Sequence, residues 1–97
     1  MRISGKQKRY LKGLAHSRKA VVTIGSKGLV DSVLTEIDEA LAHHELLKIK
    51  LPALSRQDRE QLLASICNAT GSDQVQTIGR VCILFRAADP SRIDLPK

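Results

Sequence analysis

Aromatic side chains are almost absent from this chain of 97 residues, which has no tryptophan, one tyrosine and one phenylalanine. Proteins that read single-stranded RNA or DNA stack successive bases on several aromatic rings. Here only Tyr10 is a candidate for such stacking, because Phe85 lies in an apolar segment typical of a buried strand. The composition therefore argues against a surface of aromatic rings that binds single strands.

Long apolar runs and frequent cysteines are also missing. The longest apolar run, residues 81–85, is far shorter than the ~20 residues that a membrane-spanning helix needs. The basic N-terminus is not followed by an apolar segment with a cleavage site, so we expect no secretory signal. Cys67 and Cys82 each have apolar neighbours, which predicts buried, inert thiols in a reducing, cytoplasmic compartment.

Patterns of catalytic and metal-binding residues are missing as well. His43 and His44 are adjacent, His16 stands alone, and neither a Cys-x-x-Cys nor a His-Glu-x-x-His motif occurs. The glycine-containing segment 25–28 is too short for a P-loop and lacks the surroundings of a nucleophile elbow. We therefore expect no enzyme activity, no metal, no cofactor and no small-molecule substrate.

Acidic side chains are absent from the first 30 residues, where basic ones are frequent, and the net charge of the chain is +6. Eight basic residues precede the first acid, Asp31: Arg2, Lys6, Lys8, Arg9, Lys12, Arg18, Lys19 and Lys27. The rest of the chain carries eight basic and ten acidic residues, so the positive excess lies entirely in the N-terminal segment. Such an asymmetry attracts a polyanion, although a charged helix that only aids solubility is the alternative. With so few aromatic rings, recognition of the backbone and shape of a folded RNA is favoured.

The hydrophobic pattern predicts seven elements in the order α-β-α-β-α-β-β. Ser4 and Gln7 form a capping box before the first helix, and Leu-Lys-Ile-Lys-Leu at 47–51 alternates as a half-buried strand does. The predicted bounds are helices 5–15, 29–43 and 55–71 and strands 20–24, 47–51, 74–78 and 81–85, with a loop or loosely packed extension over 87–97.

These elements predict an α/β fold in a single domain over residues 1–97. Strand–helix–strand units favour parallel pairing through right-handed crossovers, and the last two strands form an antiparallel hairpin. The expected result is a mixed four-stranded sheet packed by helices. Since Lys48 and Lys50 point away from their apolar neighbours, part of one sheet face should be open to water.

The segment Gly25-Ser26-Lys27-Gly28 stands between a predicted strand and a predicted helix. Glycines let a backbone approach a phosphate closely, the free amides at the start of a helix favour an anion, and Lys27 adds a positive charge. KH domains clamp a nucleic-acid backbone with a Gly-x-x-Gly loop in this position. The motif alone is equally compatible with a tight turn, but the eight N-terminal cations favour binding.

Several short motifs follow one another in order along almost the whole chain. They are Lys6-Gln7, Leu11-Lys12, Ala15-His16, Val21-Val22, Gly25 to Leu29, His44 to Lys50, Gln76, Ile78-Gly79, Leu84 to Arg86, and Ile93 to Pro96. Together they resemble the YhbY-type proteins, bacterial stand-alone members of the CRM (chloroplast RNA splicing and ribosome maturation) domain family. Two positions depart from the family pattern: Ala20, where a proline is common, and Phe85, where a tyrosine is common. The first change should only loosen the entry to the strand, and the second removes a hydroxyl group that a tyrosine would offer to RNA.

The resemblance implies a fold similar to the C-terminal domain of translation initiation factor three and association with precursors of the large ribosomal subunit. It also implies RNA contact through the Gly-x-x-Gly loop, helped by the lysines of the N-terminal helix and by Arg86. The expected protein is a monomeric, cytoplasmic RNA-binding assembly factor that contacts structured ribosomal RNA. Its expected RNA-binding residues are Gly25, Ser26, Lys27, Gly28, Lys6, Lys8, Arg9, Lys12, Arg18, Lys19 and Arg86.

Two other functions remain open at this stage. Small basic α/β domains also coat DNA duplexes, so a general DNA-binding or nucleoid protein is one alternative. The other is a protein-interaction adaptor that uses the open sheet face, with its charges serving solubility.

Overall fold

Seven elements build the domain in the computed structural model, which describes residues 3–97. The helices are α1 (Gly5–Ala15), α2 (Asp31–His44) and α3 (Arg56–Thr70), and the strands are β1 (Val22–Thr23), β2 (Leu46–Lys50), β3 (Asp73–Ile78) and β4 (Val81–Phe85). The predicted order and the α/β class are confirmed. None of these helices within residues 3–97 is long and apolar enough to span a bilayer.

The start of α1 follows the predicted capping box. Ser4 Oγ accepts a hydrogen bond from the amide of Gln7 at 3.1 Å, and Gln7 Oε1 accepts one from the amide of Ser4 at 3.0 Å. The two bonds satisfy donors that the first helical turn leaves without partners. Farther along α1, Leu11 and Ala15 are buried, so the helix presents one apolar stripe to the sheet.

The four strands form one mixed sheet in the order β1-β2-β4-β3. β1 pairs with β2 in parallel, whereas β4 lies antiparallel to both β2 and β3. β3 therefore runs parallel to β2, as expected for a strand–helix–strand unit, but the two strands do not pair because β4 lies between them. The physical reason is composition: β4 is apolar at every position and suits the interior of a sheet, whereas polar side chains of β3 fit an edge.

The first strand is shorter than predicted, two residues instead of five. Its backbone nonetheless stays beside β2, since the amides of Val21 and Ile24 donate to the carbonyls of Lys48 and Lys50 at 2.9 and 2.8 Å. Ala20 is exposed and lies outside the strand. The β-branched run therefore gives extended backbone, but only its centre pairs as a ladder.

Both faces of the sheet are packed, but one only in part. The face that α2 and α3 cover has a buried cluster of Val22, Ile24, Ile37, Leu41, Leu47, Ile49, Leu51, Leu63, Ile66, Cys82 and Leu84. The face that α1 covers has a smaller buried cluster of Ile3, Leu11, Ala15, Leu46, Val75, Ile83 and Phe85. Beyond the end of α1, Thr23, Lys50 and Ile78 are exposed on this second face, which confirms the predicted open region. We call it the open sheet face.

The C-terminal segment 87–97 contains neither helix nor strand, but it is packed and not loose. Ile93 and Leu95 lie against the cluster beneath α1, and the carbonyl of Pro96 accepts a hydrogen bond from Gln7 Nε2 at 3.0 Å. Further contacts join the segment to Glu45, which is buried at the end of α2. The tail therefore completes the second core instead of extending from the domain.

The two cysteines differ in burial. Cys82 is fully buried and Cys67 is half-buried, and neither takes part in a disulfide. Burial raises the pKa of the Cys82 thiol to about 11, and the hydrogen bond with Thr77 offsets only part of this increase. A thiol with so high a pKa is uncharged near neutral pH and unreactive, as predicted for this residue.

Candidate nucleic-acid interface

The Gly-x-x-Gly loop, residues 25–28, follows β1 at the edge of the sheet. The amide of Gly28 donates to the carbonyl of Gly25 at 3.0 Å, and Gly28 has a φ of 75°, a conformation that favours glycine. Apart from adjoining residues, nothing lies within 4 Å of the position that a Cβ would take on Gly25 or Gly28. The loop is therefore an open turn whose backbone a phosphate can approach closely.

The loop does not run directly into the helix that follows it. α2 begins at Asp31 and not at Leu29, and its N-cap residue, Val30, has no side-chain acceptor. Asp31 places a negative charge in the first turn, where the helix dipole favours one. An anion at the loop would therefore meet the amides of the loop itself more readily than the start of α2.

A groove of about 270 Å³ lies on the open sheet face beside α1. Its lining consists of Lys12, His16, Lys48, Gln76, Ile78, Val81 and Ile83. Two lysines and a histidine thus border a shallow surface whose floor is partly apolar. Ile78 is 64% exposed there, which is unusual for so apolar a side chain.

A second hollow, of about 410 Å³, lies next to this groove. It is lined by Arg18, Lys19, Val21, His43, His44, Leu46 and Lys48. Lys48 borders both hollows, so their basic side chains form one surface. Among the residues that line the two hollows none is acidic, and a polyanion would meet no opposing carboxylate there.

Two hydrogen bonds fix the segment after α1 on the sheet. Arg18 Nη1 donates to the carbonyl of Leu46 at 2.9 Å, and Lys48 Nζ donates to the carbonyl of Arg18 at 2.9 Å. Both side chains keep their positive charge in these contacts, because carbonyl groups are the acceptors. The cations are therefore held in place without being neutralised.

Lys50 connects this basic surface with the loop. It is exposed on β2, pairs with Thr23 across the sheet, and accepts at its carbonyl from the amide of Ile24, the residue before Gly25. We define the basic belt as Lys12, His16, Arg18, Lys19, Lys48 and Lys50. It runs from α1 across the open sheet face to the point where the Gly-x-x-Gly loop begins.

The structure places the other predicted cations at different sites. Lys6 and Arg9 are exposed on α1, whereas Lys8 borders a hollow at the β3 edge together with Glu60 and Asp73. Lys27 is exposed in the loop itself. Arg2, which also contributed to the predicted charge, lies outside the described residues. Of the lysines of α1, Lys12 belongs to the belt, whereas Lys8 borders a hollow that also contains two acidic residues.

Arg86 lies at the end of the sheet opposite the loop, after Phe85, which pairs with Leu46 at the start of β2. Its Nη1 donates to Asp38 Oδ1 at 2.6 Å and to the carbonyl of Thr70 at 2.8 Å, and its Nη2 donates to the carbonyl of Asp38 at 2.9 Å. The side chain is only 24% exposed. These contacts tie α2 and α3 to β4, and they do not bring Arg86 to the loop.

A cleft of about 650 Å³ borders the loop on its other side. Gly25, Ser26 and Gly28 form one wall, and the segment between β2 and α3 with the first turns of α3 forms the other. The opposite wall includes Pro52, Ala53, Leu54, Asp58 and Leu62, and Arg80 of the β3–β4 turn also lines the cleft. The loop is thus flanked by a basic belt on one side and by a mainly apolar cleft on the other.

Sequence reasoning did not select His16, Lys48, Lys50, His43 and His44 as site residues. The Leu-Lys-Ile-Lys-Leu alternation was the available signal for the lysines, because it placed both on the wet face of one strand. His43 and His44 end α2, and their rings are in edge-to-face contact with 4.6 Å between the centroids. They lie near Arg18 and Lys19 only because of the tertiary fold, which no local sequence pattern indicates.

Known proteins and a family model are similar to this chain over most of its length. Residues 3–86 match the model of the CRS1 / YhbY (CRM) domain. A Haemophilus influenzae protein named "RNA-binding protein" is 43% identical over 95 residues, which cover 98% of this chain and 96% of the relative. A Pseudomonas aeruginosa protein, named as a probable RNA-binding protein, is 38% identical over 86 residues and covers 89% of this chain and 83% of its own length.

The fold is also similar to a solved structure. The solution structure of a hypothetical Staphylococcus aureus protein, described as a candidate RNA-binding protein, superimposes with a TM-score of 0.83. The two sequences are 34% identical, and the match covers 97% of this chain and 99% of the other. The similarity thus extends over the tail as well as the sheet and helices.

Proposed function

Because the chain belongs to the CRS1 / YhbY (CRM) domain family, we propose that it is an RNA-binding protein that associates with precursors of the large ribosomal subunit and assists their assembly. The observation that carries the proposal is the continuity of the basic belt with the open Gly-x-x-Gly loop. Relatives that cover nearly all of this chain are named as RNA-binding proteins, which supports RNA as the partner.

The proposed mechanism has two parts. The belt attracts the phosphate backbone of a folded RNA and releases its counterions, which supplies affinity without reading the sequence. The loop then approaches one phosphate closely: its amides donate to the phosphate, Ser26 can donate a further hydrogen bond, and Lys27 adds a positive charge. The belt thus orients the RNA, and the loop grips it at one point.

The remaining predicted residues have different places in this proposal. Lys6 and Arg9 extend the basic surface along α1, and Lys8 contributes at the margin, near Glu60 and Asp73. RNA contact by Arg86 stays a prediction, since its guanidinium already joins three elements of the fold. The protein acts by binding as a monomer in the cytoplasm, and two cysteines outside disulfides fit a reducing compartment.

Fluorescence anisotropy across a salt series tests the belt. With a folded ribosomal RNA fragment, Lys48→Gln/Lys50→Gln should weaken binding and lower the slope of log affinity against log salt by about two, one for each lost phosphate contact. Arg56→Gln is the matched control, because Arg56 is 84% exposed on α3, outside the belt, and pairs only weakly with Glu60.

An unchanged slope in the double variant, with circular dichroism confirming its fold, would remove the belt from the interface. Equal affinity for RNA and DNA duplexes of matched sequence would favour a general nucleic-acid-binding protein instead. Partner binding that survives nuclease treatment would favour the protein adaptor.

A further inference from the structure

The cleft beside the Gly-x-x-Gly loop differs chemically from the basic belt. Its volume of about 650 Å³ lies in the range of sites that enclose small organic groups. The wall opposite the loop is largely apolar, with Pro52, Ala53, Leu54 and Leu62. Leu54 is 41% exposed, so an apolar side chain is available at the mouth of the cleft.

Two charged groups stand among these apolar residues. Asp58 lines the cleft from the first turn of α3, where its backbone amide donates to Ser55 Oγ at 3.1 Å. Arg80 lines it from the β3–β4 turn, and its Nε donates to the carbonyl of Leu51 at 3.1 Å. The terminal nitrogens of Arg80, which have no hydrogen-bond partner among residues 3–97, can donate to a ligand in the cleft. The cleft thus offers one acceptor and one donor between apolar surfaces.

This combination does not suit a phosphate. The carboxylate of Asp58 would repel an anion, and apolar side chains would replace the water that a phosphate needs. A nucleobase fits better, because it has an apolar face and an edge of donors and acceptors. When the loop holds the phosphate of a nucleotide, the base of that nucleotide lies close to Gly25, Ser26 and Gly28. These residues form the other wall of the cleft, so the base can enter it.

We propose that the cleft binds one unpaired base of the RNA whose backbone the loop holds. This proposal rests on the proposed function, RNA binding by the loop and the belt. The apolar wall covers the face of the base, and Leu54 closes over its rim. Asp58 accepts hydrogen bonds from the base edge, and Arg80 donates to it. The protein therefore binds next to a bulge, loop or end, although it has no aromatic platform for longer single strands.

The carboxylate of Asp58 also predicts a preference among bases. Adenine, cytosine and guanine carry amino groups that donate to a carboxylate. Uracil has a single imino donor between two carbonyl oxygens, and these oxygens would face the negative charge. An unpaired uracil should therefore bind less tightly in the cleft than an unpaired cytosine, which is of similar size.

RNA hairpins with one common stem test the cleft. One probe is fully paired, and the others carry a single bulged cytosine or a single bulged uracil. The cytosine bulge should bind the wild-type protein more tightly than the paired stem. Leu54→Ala should lose about tenfold in affinity for this bulge, with an unchanged salt slope and unchanged affinity for the paired stem.

Asp58→Asn is the second variant, because an amide both donates and accepts. It should bring the ratio of affinities for cytosine and uracil bulges close to one, whereas Leu54→Ala weakens the cytosine-bulge complex. Circular dichroism checks that both variants fold.

The possible outcomes separate the cleft from the proposed function. If the wild-type protein binds the paired stem and both bulges equally, and neither variant changes this, the cleft is not a base site, but RNA binding by the loop and belt stands. If the wild-type protein binds none of the probes, nor a folded ribosomal RNA fragment, the proposed function itself fails.

Discussion

At the scale of single residues, Glu45 holds the C-terminal tail on the domain. Its side chain is fully buried, and its backbone has a positive φ of 63° at the end of α2. The carboxylate accepts from the amides of Ala88, Arg92 and Ile93 at 2.8, 2.8 and 3.1 Å, and from the hydroxyl of Ser91 at 3.1 Å. A buried charge is tolerated here because donors surround it.

We predict that Glu45→Gln destabilises the fold by roughly 3 kcal/mol, since an amide cannot accept all four bonds and its own donors would face other donors. Urea unfolding followed by circular dichroism measures the loss. Limited proteolysis should also cut the tail of the variant first, at residues 87–97. Wild-type stability in the variant would show that the other tail contacts, such as the packing of Ile93 and Leu95 and the bond from Gln7 to Pro96, are sufficient to hold the tail.

The same carboxylate predicts a dependence of stability on pH. Burial alone would raise the pKa of Glu45, but the hydrogen bonds from Ala88, Arg92 and Ser91 and the charge of Arg92 together lower it below its ordinary value of 4.5. Because the folded pKa is the lower one, this stabilisation is complete above pH 4.5 and is lost as the pH falls through the folded pKa. The unfolding free energy of Glu45→Gln should fall less over that range than that of the wild type.

Arg86 provides a residue-scale test that separates structure from RNA contact. Arg86→Met removes bonds to Asp38 and to the carbonyl of Thr70, and should cost on the order of 2 kcal/mol of stability. The salt slope of RNA binding should stay at its wild-type value if the role of Arg86 is structural. A slope lowered by about one, in a folded protein, would instead place a phosphate at this residue.

At the scale of elements, the loop is the part whose role the sequence indicated most directly. Lys27 is exposed at its tip, so Lys27→Ala should leave the fold intact. We predict weaker RNA binding and a salt slope lower by about one, as for one lost phosphate contact. Anisotropy titrations from low to high salt measure both, and an unchanged slope would remove Lys27 from the interface.

At the scale of elements, some features of the fold could be predicted from the sequence and others could not. The capping box at Ser4 and the alternation in β2 are local signals: the first gave the correct start of α1, and the second gave a strand with Lys50 on its exposed face. The order of β3 and β4 is not local, because a hairpin pairs the same way whichever strand lies inside the sheet. The burial of Glu45 could not be predicted either, since its donors lie 43 to 48 positions later in the chain.

At the scale of the whole molecule, the belt assembles basic side chains from three parts of the chain. Lys12 and His16 come from α1 and its end, Arg18 and Lys19 from the next segment, and Lys48 and Lys50 from β2. The sequence predicted Lys12, Arg18 and Lys19 from their charge, but not His16. The β2 members join them only because α1 leaves part of its sheet face uncovered.

The proposed partner leads to a prediction for the intact protein in cells. The wild-type protein should co-sediment with precursors of the large ribosomal subunit, and Lys48→Gln/Lys50→Gln should shift toward the top of the gradient because phosphate contacts are lost. Arg56→Gln should sediment as the wild type does. A double variant that remains with the precursors would mean that a protein contact, and not the belt, holds it there.

The most direct test of the central claim is RNA binding by Gly25→Asp, measured by anisotropy on a folded ribosomal RNA fragment. Gly25 lacks the positive φ of Gly28, and its Cβ would stand in open space, so the fold should tolerate the change. Asn68→Asp adds the same charge on exposed α3 and serves as the control. The account predicts a sharp loss of affinity for Gly25→Asp and little change for the control. Equal binding by both variants would contradict it and make the loop only a turn.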